Sequence, residues 1–135
     1  MARGELVSDE LLFDLMQTKM VGEYDILLDG FPRTLPQAQW LVRSYHDRDI
    51  MTFYFQVPET VMIERIANRL KQGGGRNDDA DAAAVRKRLD SFRTKTLPAV
   101  DFLRGHQGGN FTEIDATGTP AKIFAEIQGT LARTK

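Results

Sequence analysis

No cysteine occurs in the 135 residues. Disulfides and cysteine-ligated zinc are therefore excluded, and a reducing compartment suits such a chain. Excess charge of either sign is missing too. Eighteen basic residues face nineteen acidic ones, for a net charge of -1, so nothing favours nucleic acid or an anionic membrane as a partner. No apolar run is long enough to span a bilayer. The opening residues, MARGELVSDE, lack the apolar centre of a signal peptide, so a cytoplasmic protein is expected. Histidine is scarce. His46 and His106 stand alone among polar neighbours, read as surface residues, and leave no Ser-His-Asp set and no histidine spacing for a metal. A Gly-Lys pair is absent as well. The glycine clusters QGGGR and GHQGGNF look suited to phosphate, but neither fits G-x-x-x-x-G-K-[ST].

What is present is ordinary in amount and informative in position. Hydrophobic residues make up 41% and charged residues 27%, as in a globular domain with a core of its own. Twelve of the eighteen basic residues are arginine, whose planar fork of donors suits phosphate and carboxylate, although codon bias or solvated helix faces account for a bare count equally well.

Periodicity divides the chain into helices and strands. Residues 8–20 predict a helix capped by Ser8, with Leu12, Leu15, Met16 and Lys19 or Met20 at helical spacing and Gly22 ending it. Residues 24–30, YDILLDG, have the unbroken apolar centre of a strand covered on both faces. A helix is expected over 34–46, with Thr34 as its cap and Pro36 in its first turn. A second strand is expected over 50–57 and a helix over 58–72, followed by a loop, GGGRNDD, over 73–79. A long helical segment spans 81–105, where Pro98 must break or kink it. A third strand over 110–116 and a helix over 119–132 close the chain. Strands alternating with helices make an α/β protein with a parallel sheet, whose ligands sit beyond the carboxyl ends of the strands. Asp29, Val57 and Asp115 lie at those ends.

Several residues there can carry chemistry. Asp29 ends an apolar run, and its carboxylate suits either a magnesium with its waters or a cap for the next turn. Arg33 follows Gly30 by three residues: glycine allows close approach of a ligand, and arginine can hold a phosphate with two hydrogen bonds. Gln37 presents a donor and an acceptor side by side, which matches an adenine edge, or it is a solvated amide. Arg65 and Arg69 share a helix face, and Arg76 and Arg88 flank the next loop and helix. They either converge on an anion or form a solvent face paired with Glu59, Glu64, Asp78 or Asp79.

Taken together, GELVSDELL, ILLDGFPRTLPQAQ, ERIANRL, GRNDD and VRKRLDSFRTKTLPAVDF stand in the order and spacing of the adenylate kinases, and the chain resembles that family along its whole length. The resemblance implies a three-layer parallel sheet of the P-loop nucleoside monophosphate kinase type. It implies phosphoryl transfer from ATP to AMP, giving two ADP, with magnesium and without zinc. Glu5, Leu6 and Val7 match the stretch that lines the AMP base. Gly30, Phe31, Pro32 and Arg33 match the AMP turn, with Arg33 on the phosphate, and Gln37 matches the glutamine that reads adenine. Thr34 and Gln37 favour AMP over pyrimidine monophosphates. Asp29 matches the carboxylate near the magnesium. Arg65 and Arg69 match residues on the ATP base and phosphates, and Gly118 matches the loop at the ATP adenine. Arg76 and Arg88 match the arginines that neutralise the transferring phosphoryl group. Residues 73–79 match a short lid.

The pattern departs at the start. Family members open with a strand, a glycine-rich loop with its lysine, a helix and most of the AMP-binding segment, whereas this chain begins near that segment's end. The implied fold is a single, N-terminally truncated domain whose missing strand would stand between 24–29 and 50–57, leaving two edges in want of a partner. Three readings follow. The chain is a poor kinase alone, a non-catalytic AMP-binding module, or half of a split enzyme completed by another polypeptide or by self-association.

Overall fold

The computed structural model describes residues 8–76 and 79–134. Helix α1 (Asp9–Lys19) and helix α2 (Leu35–Ser44) precede strand β1 (Thr52–Gln56). Helix α3 (Glu59–Lys71), helix α4 (Ala82–Ser91) and helix α5 (Leu97–Gln107) lead to strand β2 (Phe111–Asp115) and the closing helix α6 (Pro120–Thr134).

Strands β1 and β2 pair in parallel, in the register Thr52↔Phe111 through Gln56↔Asp115. The three helices between them form the crossover that a parallel pair requires. Gln107 fixes the start of this sheet. Its Oε1 accepts from the Thr52 hydroxyl at 2.5 Å, and its Nε2 donates to the Ile50 carbonyl at 3.2 Å. The protein is thus α/β with a parallel sheet, as its alternating pattern predicts.

The centre of the core lies where α2 crosses α5. Ala38 and Ala99 are both fully buried, and their small side chains let the two backbones approach. Leu103 fills the space beside them, with Val42, Phe102 and Phe111 around it. Ile114, fully buried on β2, is the largest apolar side chain among the described residues that is withdrawn completely from water. A second cluster is aromatic. The Trp40 ring stacks on Phe13 at 4.5 Å and meets the edges of Phe31 at 6.1 Å and Tyr45 at 5.8 Å. This ties α1 and the Phe31 turn onto α2, in the offset and edge geometries that aromatic quadrupoles favour.

Three expectations need correction. The strand over 24–30 does not form, and no described residue pairs with that segment. Leu27, at its middle, is 94% exposed. An apolar run becomes a strand only when another backbone takes its hydrogen bonds, and the described residues supply none to this segment. On α1, Leu15 does not join the inner face: it is 50% exposed, while Met20 is buried. At Pro98 the helical path does not end. Residues Phe92–Thr96 widen into a π turn in which the Leu97 N–H reaches the Phe92 carbonyl, and Pro98 falls in the first turn of α5, where no N–H is needed.

Candidate functional site

The loop after α3 begins with a helix terminus that its glycines make. Gly73 sits at φ +73, its N–H donates to Leu70 O, and the Gly74 N–H donates to Arg69 O. These are the two bonds of a Schellman motif, which needs a left-handed residue after the helix. The glycine cluster read as a decoy for phosphate is therefore a helix stop. Gly73→Ala is expected to cost about 1 kcal/mol through backbone strain alone, read as a fall of a few degrees in a thermal melt.

The turned chain then delivers Arg76 and Asp79 to one place. The Asp79 side chain is fully buried. Its Oδ2 accepts from the Arg76 backbone N–H at 2.8 Å and from Arg69 Nη2 at 3.1 Å, and its Oδ1 accepts from Arg88 Nη1 at 2.5 Å. The Arg76 N–H, as the largest influence, holds the carboxyl below its usual range. Burial acts against it, while the Arg88 hydrogen bond and the charges of Arg69 and Arg88 add to the lowering. One carboxylate thereby gathers α3, the loop and α4. Two guanidinium groups that would otherwise repel share it, one at each carboxylate oxygen. Arg65 lies one turn earlier on α3 and is exposed.

The second constellation is the turn before α2. Gly30 adopts φ +80, and the Phe31–Pro32 peptide is cis. A Cβ on Gly30 would come within 2.9 Å of Arg33 Nη2, because Arg33 folds back and donates Nε–H to the Gly30 carbonyl at 2.6 Å. Thr34 caps α2, its hydroxyl accepting from the Gln37 N–H at 3.3 Å. Gln37 is neither solvated nor idle. It is 1% exposed; its Oε1 accepts from the Arg33 N–H at 2.7 Å, and its Nε2 donates to Asp9 Oδ1 at 2.9 Å. The two constellations are joined from behind. The Thr96 hydroxyl, at the end of the π turn, donates to the Arg33 carbonyl at 2.7 Å.

The remaining positions stand apart. Asp29 is exposed, so the desolvation that made its carboxylate notable in the sequence does not operate. Its position beside Gly30 is what remains. Asp115 ends β2 and accepts from the hydroxyl and N–H of Thr117, which lower its pKa in that order of size. This closes the loop that contains exposed Gly118. Glu5, Leu6 and Val7 lie outside the described residues, as does Asp78. Sequence reasoning named Asp79 only as a counter-charge and did not name Asp9 or Thr96. The signal for Asp79 was there, in an acidic pair set between Arg76 and Arg88. For Asp9 and Thr96, with partners 28 and 63 residues away, no local signal exists. No helix among the described residues is long and apolar enough to cross a membrane.

Comparison with known proteins gives consistent results. The family profile described as adenylate kinase matches residues 1–107. The adenylate kinase of Thermus thermophilus is 35% identical over 134 residues, covering 97% of this chain and 69% of that protein. The adenylate kinase of Porphyromonas gingivalis is 39% identical over 130 residues, covering 92% and 65%. Adenylate kinase isoenzyme 1 of Caenorhabditis elegans is 32% identical over 136 residues, covering 97% and 62%. The chain thus spans about two thirds of the length of each relative.

Proposed function

We propose, because the chain belongs to the adenylate kinase family, that it carries the AMP-binding turn and lid arginines of a reversible phosphoryl transfer from ATP to AMP. The observation that supports this most is the buried Asp79 and the three arginine residues drawn to it from separate elements. Phosphoryl transfer asks a protein for positioning and for neutralisation of spreading negative charge, with little covalent work. Arg69, Arg76 and Arg88 supply the positive field around the moving group. Arg33 holds the AMP phosphate, whose approach the bare Gly30 backbone permits. Gln37 reads the base edge, with Glu5, Leu6 and Val7 lining it and Phe31 and Pro32 shaping the turn. Arg65 and Gly118 face the ATP base. Residues 73–79 close as a short lid that excludes water.

Magnesium enters with ATP. Among the described residues no three acidic or histidine side chains form a metal cluster. A single exposed carboxylate, Asp29, fits an ion that keeps most of its water and takes its other oxygens from phosphates. The ion supplies neutralising charge, and Asp29 would hold it through its waters.

The 135 residues contain no Gly-Lys pair, so turnover needs a phosphate-gripping loop from outside them. A second reading is a non-catalytic AMP-binding module, or half of a split enzyme that another polypeptide completes. The run 24–30, which pairs with no described strand and leaves Leu27 in water, favours this. Calorimetry with AMP and a coupled assay of ADP formation separate the cases. AMP binding with little turnover is expected. Ordinary turnover by residues 1–135 alone would overturn the need for an added loop. Arg33→Ala is expected to weaken AMP binding by about 100-fold in the same calorimetry, as two charge-assisted bonds to phosphate are lost. An unchanged affinity removes Arg33 from the site.

A further inference from the structure

Gln37 is a flippable group held from both ends. An amide rotated by half a turn exchanges its oxygen and nitrogen at almost no cost in shape. Here the surroundings choose one orientation. The Arg33 backbone N–H, at 2.7 Å, demands an oxygen. The Asp9 carboxylate, at 2.9 Å, demands an N–H. Reversal would set N–H against N–H at one end and oxygen against carboxylate at the other. Both bonds lie in part-buried surroundings, where an unmet donor or acceptor is costly.

We infer that Asp9 is a specificity-determining positioning residue, which selects adenine over a 6-oxopurine by fixing the direction of the Gln37 amide. The inference rests on Gln37 reading the base. After its two internal bonds the amide retains one lone pair on Oε1 and one N–H on Nε2. Adenine offers an amino donor next to a ring-nitrogen acceptor, which matches these in order. Hypoxanthine offers a carbonyl acceptor next to a ring N–H, the reverse order. A free amide could flip to serve either base, whereas a held amide serves one. The Arg33 N–H belongs to the backbone of the turn and is present whatever side chain stands there. Asp9 is the half of the device that a side-chain substitution can remove.

The test is calorimetric binding of AMP and inosine monophosphate to the 135-residue chain and to its Asp9→Ala, Asp9→Asn and Gln37→Ala variants. Asp9→Ala is expected to narrow the ratio of AMP to inosine monophosphate affinity by about tenfold, chiefly by strengthening the inosine nucleotide, since a hydrogen bond to a charged group no longer opposes the flip. Asp9→Asn, whose own amide can turn to follow a flipped Gln37, should narrow the ratio nearly as far as Asp9→Ala. A merely structural role for Asp9 would lower both affinities together and leave the ratio alone, and that result overturns the inference. So does a gain in AMP affinity at constant ratio, which would make Asp9 a competitor of the base. If Gln37→Ala collapses the ratio while Asp9→Ala does not, the inference fails and Gln37 remains the reader. If Gln37→Ala also leaves the ratio unchanged, or the unsubstituted chain binds no AMP, base reading by Gln37 fails and the inference falls with it.

Discussion

Asp79→Ala is expected to lower the melting temperature by about 5–10 °C at pH 7, because it removes a buried acceptor that three donors share. The Arg76 N–H loses its partner at the base of the loop, and Arg69 and Arg88 are left as like charges side by side. The pH dependence identifies the cause. Asp79 has a folded pKa below its ordinary value of 3.8. A carboxylate depressed in this way contributes stability that is complete above the ordinary value and disappears as the pH falls through the lower, folded one. The gap between the two proteins should therefore be constant from pH 7 down to about pH 5 and shrink below about pH 4. Thermal melts across that range measure it. A gap that persists undiminished at pH 3 would show that lost packing, and not the charge, is responsible. The turnover of any preparation that forms ADP should fall with Asp79→Ala as well, since the arginines keep their charge and lose their alignment.

Ile114→Ala should have the largest effect on stability, costing about 3–4 kcal/mol, the usual sum of lost transfer energy and a residual cavity. Ile114 is fully buried in β2, and strand pairing leaves its neighbours little room to collapse into the gap. Set against total stabilities of roughly 5–15 kcal/mol, such a loss leaves a substantial unfolded fraction. Denaturant titration followed by circular dichroism reads it directly. A cost below about 1 kcal/mol would mean that β2 is not part of the cooperative unit.

Both substitutions act on features of unequal legibility. The strand over 110–116 was readable as a short run bounded by turn residues, whereas the burial of Ile114 and the register come only from the pairing with β1. The helices were readable from their periodicity, and Thr34 and Pro36 mark the start of α2 in the chemistry of caps. Residues 24–30 show where local reading stops. Their composition is that of a strand, and yet a strand is a relation between two backbones. The site divides along the same line. Arg69, Arg76 and Arg88 could be listed from spacing, but whether they spread over a solvent face or converge depended on Asp79 being withdrawn from water. Asp29 shows the converse error, since an apolar run before a carboxylate implied burial that the fold does not impose. Gln37 offered two readings, solvated amide or base reader. Its burial between Asp9 and the Arg33 N–H fits the first badly and depends on a helix 28 residues away.

The π turn at Phe92–Thr96 has a consequence for how this sequence tolerates insertion and deletion. A π turn accommodates one residue more than regular α-helical winding needs. Removing one residue between 92 and 96 would let the path from α4 to α5 wind as one continuous α-helix, and because the π turn holds its extra residue within a single turn, the helices on either side would stay in phase. With Ala99 and Leu103 anchored against α2, Arg88 would still reach Asp79. A deletion within the regular winding of α4 would instead turn Arg88 by about 100° away from its partner. The π turn is thus the one place on this path where a residue can be lost without rewiring the arginines, and what it puts at risk is the bond from the Thr96 hydroxyl to the Arg33 carbonyl.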